Sequence, residues 1–280
     1  MSTETAAQAP ATVISHPRTL LLDFLGGFVR QTGGWVPVAA LVSLMDEVGL
    51  DESSVRTAVS RLKQREWLTP DKRGGANGYT LSSLAVESYQ QGDDVIWHAR
   101  RPADIAEGWL LISVSIPESD RSRRHVLRSR LSALGFGNIG SGLWIAPARM
   151  QQKATSTLAQ LELLEAADIF IAHYPDEKRL RDLVARGWDF AELDAGYRAF
   201  LADRSPIALQ RTAAATDESD FVQYMLALNQ WRVLPLIDPG LPRELLGDDW
   251  AGDAAGSLFE NIVALTEAGA LRHVKQKISA

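Results

Sequence analysis

Apolar side chains recur at helical spacing three times in succession near the start of the chain. From Pro17, a good first helical residue, they fall at Leu21, Phe24, Leu25, Phe28 and Val29, and the stripe stops before Gly33-Gly34. After a short extended Trp35-Val36, a second helix is predicted over 37–48, with Leu41, Leu44, Met45 and Val48 inward and Gly49 as its stop. Asp51, Ser53 or Ser54 can cap a third helix, in which Val55, Ala58, Val59 and Leu62 form the buried stripe and Trp67 closes the end. Its opposite face is polar: Ser53, Thr57, Ser60, Arg61 and Gln64. Trp67-Leu68-Thr69 and Gly78-Tyr79-Thr80-Leu81 then read as two short strands joined by a loop over 71–77 that holds Lys72, Arg73 and two glycines. Three helices followed by a basic hairpin is the order of a winged helix-turn-helix. A helix over 82–91 completes that unit, and Gly92-Asp93-Asp94 begins a linker.

The pattern then changes. Residues 109–116 read as a buried strand, 119–134 as a helix, 136–139 and 143–146 as a hairpin around Gly140-Ser141-Gly142, 151–165 as a helix and 168–172 as a strand. Strand-helix-strand-strand-helix-strand is the ferredoxin-like pattern. From Pro175 the signals are helical, broken by a proline-rich stretch over 234–246 before a last helix near 257–268. Residues 1–15 have no period and are expected to form a disordered tail. The expected class is therefore α+β, with a DNA-binding unit over 16–95, a ferredoxin-like unit over 96–174 and a mainly helical unit over 175–280.

Length agrees, since 280 residues suggest two or three units, and 46% hydrophobic with 23% charged residues is ordinary for a folded soluble protein. No apolar run is long enough to span a bilayer, and 1–15 lack the basic-then-apolar order of a secretory signal, so a cytoplasmic protein without a membrane partner is expected. The absence of cysteine removes disulfides, thiolate nucleophiles and cysteine metal sites. A net charge of −6 would repel a polyanion. Local clustering changes that picture: Arg56, Arg61, Lys63, Arg65, Lys72 and Arg73 face only Glu66 and Asp71, and Arg121, Arg123, Arg124, Arg128 and Arg130 stand in a run free of acids.

With those units in place, the chain resembles the phenylacetate-catabolism repressor family, the PaaX-like regulators. The resemblance is carried by Arg18-Thr19-Leu20-Leu21, Gly33-Gly34 and the run from Ser54 to Leu62, which look like that family's helix-turn-helix. At the other end it is carried by Trp231-Arg232, the run from Ile237 to Pro242, Leu245-Leu246 and Asp249-Trp250-Ala251-Gly252, which look like its C-terminal signature. It implies a homodimeric, non-enzymatic repressor bound to double-stranded operator DNA. It also implies a small-molecule effector, an aryl-CoA thioester, that releases the operator, with phenylacetyl-CoA as the default.

On that basis the expected DNA contacts are Ser53, Ser54, Arg56, Thr57, Ser60, Arg61 and Gln64 on the third helix, with Lys72 and Arg73 on the wing. Arg61 on the outer face suits a guanine, and Arg56 on the flank suits a phosphate. The plain alternative is a solvated helix face. For the effector, the expected residues are Arg124 and Arg128, which suit the phosphates of a CoA-type effector or flanking DNA, and Trp188, Tyr197, Arg198, Trp231 and Arg232, aromatic walls beside cationic heads. Here the plain alternatives are core aromatics and solvated arginines.

Three other signals carry less. Gly135-Phe136-Gly137-Asn138-Ile139-Gly140 spells a dinucleotide fingerprint, but a helix precedes it and a strand follows, the reverse of what phosphate binding needs. The five histidines show no metal-ligand spacing, so neither cofactor nor metal is expected. The competing function is a metal-dependent nuclease, because the middle unit looks like the small CRISPR-associated nucleases of the adaptation complex. Those enzymes carry an Asp at the end of the first strand, where this chain has Ser113-Val114-Ser115-Ile116-Pro117, with Asp120 the nearest aspartate beyond.

Overall fold

The computed structural model describes residues 17–93, 96, 102–209 and 215–279. The expected tail over 1–15 lies outside the described residues, as does Asp94 of the expected linker. The chain is α+β, with two antiparallel sheets among its helices.

The N-terminal helix α1 (Pro17–Phe24) runs into one π-helical turn (Leu25–Val29) and a short 3-10 turn (Arg30–Thr32) that ends at Gly33, where φ is +95°. Next come strand β1 (Trp35–Pro37), helices α2 (Val38–Glu47) and α3 (Glu52–Gln64), strands β2 (Leu68–Arg73) and β3 (Ala76–Leu81), and helix α4 (Ser83–Asp93). The three strands form one sheet in the order β1-β3-β2. The hairpin differs from the sequence expectation. The expected loop over 71–77 shrinks to Gly74-Gly75, since Arg73 pairs with Ala76 and Lys72 with Asn77. Both glycines have positive φ, +55° and +89°, which suits the tight mirror-image turn whose twist matches that of the strands. Lys72 and Arg73 are therefore strand residues at a stiff tip.

The central segment contains β4 (Trp109–Val114), α5 (Arg121–Ala133), β5 (Gly137–Gly140), β6 (Leu143–Pro147), α6 (Gln151–Gln160) and β7 (Ala167–Ala172). The sheet order is β5-β6-β4-β7, every neighbouring pair antiparallel. Leu127 and Leu131 of α5 and Ala154 and Leu158 of α6 cover one face over Leu110, Ile112 and Trp144. The opposite face, through Trp109 and Ile145, meets Leu180 and Val184 of α7 (Glu177–Gly187) and Leu241.

Helices α8 (Phe190–Leu209), α9 (Asp217–Trp231), α10 (Leu234–Ile237) and α11 (Gly252–Ser279) follow. The last is far longer than the expected 257–268, because its polar residues find partners: Arg272 pairs with Asp217 at 2.7 Å, and His273 and Lys277 reach Glu47 at 2.7 and 2.8 Å. One hydrophobic core takes side chains from both ends of the chain. Phe28 lies 5.0 Å from Tyr224 and 5.5 Å from Phe221, ring centre to ring centre, and Phe24 meets Phe221 edge-on at 6.2 Å.

The pairing of α9 with α11 is tight enough to require a small residue. A Cβ on Gly269 would approach the side-chain Cβ of Asp220 to 3.0 Å, and Asp220 is itself buried. Gly269→Val is expected to cost about 1–3 kcal/mol through overpacking. The check is the denaturant midpoint, which should fall at unchanged m-value; an unchanged midpoint would mean that the helices separate without cost.

Candidate nucleic-acid interface

Asp51 is the residue that caps α3. Its carboxylate accepts from Ser54 N at 3.0 Å and from Ser54 Oγ at 2.8 Å, and these bonds hold its pKa below the usual carboxylate range. Val55, Ala58, Val59 and Leu62 are buried, so the other side of the helix is turned to solvent. Ser53, Arg56, Thr57, Ser60, Arg61 and Gln64 are all exposed there. Ser54 is half-buried and its hydroxyl is engaged in the cap. Arg56 is tied one turn back, Nε donating to Glu52 Oε1 at 2.9 Å, whereas Arg61 makes no ion pair among the described residues.

The hairpin beside it is anchored by groups that the sequence reading passed over. Asp71 Oδ2 accepts from Arg73 Nε at 2.8 Å and from the Thr80 hydroxyl at 2.9 Å, and these bonds lower its pKa. The Arg73 guanidinium sits 5.4 Å from the Trp35 ring centre. That indole lies against Gly78, where any Cβ would meet Trp35 carbons at 2.7–2.8 Å. Arg73 is thus a positioned cation. Lys72, also exposed, has a side chain without an ion pair among the described residues. The signal for this cluster was the Trp-Val strand that pairs with β3 in the register Trp35 opposite Thr80.

The seven expected effector residues fall in separate places. Arg124 and Arg128 are exposed on α5. Trp188 donates its indole N–H to Gly135 O at 2.9 Å, at the seam between α7 and the central sheet. Tyr197 is fully buried and donates to Asp238 Oδ2 at 2.6 Å. Asp238 Oδ1 accepts from Gly240 N at 2.7 Å, and Gly240 O accepts from Arg149 at 2.9 Å and from Ala103 N at 3.0 Å. Arg198 pairs with Asp194 and Asp249 on the surface. Trp231 is fully buried and stacked on Phe259, ring centres 4.8 Å apart.

Arg232 turns the other way, its Nε 2.8 Å from Asp23 Oδ1. The N–H direction is poor for a hydrogen bond, so the contact with Arg232 favours only the ionised form of the carboxyl. Asn229 Nδ2 donates to the other oxygen of Asp23 at 2.6 Å. Burial pushes the Asp23 carboxyl up to about 7, against the pull of Arg232 and of the Asn229 hydrogen bond. Asp23 and Arg232 line a cavity of about 390 Å³ between the π-helical turn, α4 and α9.

The glycine-rich run from Gly135 to Gly140 ends α5 and enters β5. Gly135 has a φ of +81°, as a helix stop needs. Asp120, the nearest aspartate after β4, caps α5 by accepting from Arg123 N at 3.0 Å. Among the described residues no three His, Asp or Glu side chains come together as a metal ion would require.

An exposed polar helix face beside a cationic hairpin, packed on the C-terminal helices and followed by an antiparallel α+β unit, defines an α+β protein with a cationic surface at its N-terminal end. Three family models match in chain order: "PaaX-like protein" over 16–85, "PaaX protein central Cas2-like domain" over 102–184 and "PaaX-like protein C-terminal domain" over 188–276. The chain belongs to the PaaX-like family. It is 28% identical over 265 residues to the transcriptional repressor PaaX of Escherichia coli (strain K12), covering 92% of this chain and 83% of that protein. In fold it is similar to an uncharacterized protein of Mycobacterium tuberculosis, with a TM-score of 0.62 and 21% identity over 90% of this chain and 96% of the other.

The Asp23 carboxyl predicts a pH dependence. Its pKa stands well above the ordinary carboxylate range, so near neutral pH the folded state holds a proton that the unfolded chain releases. That contribution is complete below about pH 4 and is lost as the pH rises through about 7. Between pH 5 and 8 stability should fall by roughly 2–3 kcal/mol from this group. Asp23→Asn should flatten that part of the curve, measured by urea unfolding at both pH values, and an equal slope in the variant would refute the assignment.

Proposed function

We propose that this chain is a DNA-binding transcriptional repressor of an aromatic-acid catabolic operon, of the phenylacetate type, released by an aryl-CoA thioester and acting as a cytoplasmic homodimer. The observation that carries the reading is the outward face of α3, with Thr57, Ser60, Arg61 and Gln64 exposed beside the cationic hairpin. Family membership and the similarity to a named transcriptional repressor support it.

In this reading residues 16–95 are a winged helix-turn-helix whose α3 enters the major groove and whose hairpin lies along the backbone or in the minor groove. The element order and the β5-β6-β4-β7 sheet support reading 96–174 as ferredoxin-like. Residues 175–280 then form the effector and dimerisation unit. Arg61, unpaired on the helix face, is the group able to make a bidentate contact to guanine. Arg56, held by Glu52, and Arg73, held by Asp71, are suited to fixed phosphate contacts. A dimer places two such helices about one turn of duplex apart, or a multiple of it, and the effector must favour the arrangement in which that spacing is lost.

Gel shifts on the operator, found by genome-wide footprinting, test this assignment. Arg61→Ala should cost about 1–3 kcal/mol and relax preference at one base position, whereas Lys72→Ala should weaken all sequences alike and reduce the salt slope by about 1. If neither change alters operator affinity, α3 and its hairpin are not the reading surface.

A further inference from the structure

The acid-free arginine run of the central segment lines a second cavity. Arg121, Arg124, His125 and Arg128 follow one another at helical spacings of three, one and three, and so share one side of α5. Together with the end of β4 and the β5–β6 turn they bound a cleft of about 550 Å³, within the size range of small-molecule sites. Val114, Leu127 and Trp144 give it an apolar floor, and Ser115, Asn138 and Ser141 add neutral polar groups at its rim.

The cleft carries more positive than negative side chains. Arg121 and Arg128 make no ion pair among the described residues, and Arg124 makes one neutral hydrogen bond, to Pro117 O at 3.1 Å. Glu118 is the one acid among the lining residues, in a chain that has 35 acidic against 29 basic side chains. Cations a helical turn apart repel one another, so this face of α5 is held at a cost that an anion would relieve. Planar guanidinium forks match phosphate oxygens in pairs, and a concave shape with an indole at its base suits a compact molecule better than the convex backbone of a duplex.

We propose that this cleft binds a small ligand that carries a phosphate or pyrophosphate group joined to a flat apolar part. The arginines hold the phosphate oxygens, and the apolar part lies towards Trp144. The site stands on the geometry of the central segment alone, while its use as the effector site of a repressor rests on the function proposed above.

Calorimetric titration of the full chain at low salt, with inorganic pyrophosphate and with ADP as probes, tests the site directly. The unaltered chain should bind both, with ADP at least as tight as pyrophosphate despite its smaller charge. The double variant Arg124→Gln/Arg128→Gln should lose at least tenfold in affinity for each, and Arg121→Gln should weaken both, with the far-UV circular dichroism of each variant unchanged. Absence of binding by the unaltered chain, or equal binding by both variants, overturns the proposal. So does a double variant that keeps both probes and loses affinity for duplex DNA, which would make α5 a nucleic-acid contact. Probe binding that follows the arginines but leaves operator affinity untouched supports the site and overturns only its role in release.

Discussion

The packing of Phe24 and Phe28 against Phe221 and Tyr224 is the contact on which the rest of the structure depends. The N-terminal segment buries a long set of apolar residues of its own, from Leu20 to Ala85, and α9 and α11 add a further wall to the same core. The edge-on and tilted ring geometries add specific orientation to plain burial. The result is that α3 is not carried on a freely swinging module. Its inner face rests on helices whose other sides are built from the C-terminal third of the chain, and Glu47 at the end of α2 is clasped by His273 and Lys277 of α11. Where α3 points is therefore decided by how the two ends of the chain meet.

Charge is distributed along the surface by a second constraint, the difference between cations that hold structure and cations that are left over. Arg73, Arg198, Arg232 and Arg272 each have an acid within 3.2 Å. Apart from the buried Arg232–Asp23 pair these are exposed and add little stability. Arg61, Lys72, Arg121 and Arg128 have no such partner among the described residues, and they lie on two faces, the α3-hairpin surface and the α5 cleft. In a protein of net charge −6, local clusters of this kind rather than the total shape the field that an anion meets at each face.

How much of this was legible in the sequence depends on whether a local pattern or a distant partner decides each feature. Helix α3 was legible because its four apolar positions all fall on one side of a 3.6-residue period and the rest of its surface is polar. The order of the central segment was legible because short apolar runs bounded by turn residues mark its strands and helical periods mark the helices between them. The length of the hairpin was not, since Asp71 to Asn77 have the composition of a loop and become strand only because two glycines close a two-residue turn. The effector grouping failed to emerge as one site because adjacent residues on a helix point about 100° apart. Trp231 goes inward to Phe259 while its neighbour Arg232 goes to Asp23, and Tyr197 is buried while Arg198 is exposed. Likewise, the final turns of α11 look polar in sequence and are held by Asp217 and Glu47, 55 and 226 residues away along the chain.

The stretch from Asp238 to Leu241 joins these observations. Gly135, the stop of α5, lies so close to Pro239 that a Cβ there would be 3.2 Å from its Cα, and Gly135 O also receives the Trp188 indole. On its other side the stretch is fastened by Tyr197, whose ring lies 5.9 Å from that of Trp231 within the shared core. A displacement of the C-terminal end of α5 thus meets Pro239 first, then Tyr197, then the helices against which α1 and its π-helical turn are packed. The π-helical turn lies beside the Asp23–Arg232–Asn229 cluster, and π-helical turns are frequent at functional sites. Contiguity of this kind supplies a route but no energy; a ligand in the α5 cleft would move α3 only by the difference in its affinity for the two arrangements. For a tenfold change in operator affinity that difference needs to be about 1.4 kcal/mol, no more than one guanidinium–phosphate contact made in one arrangement and missed in the other.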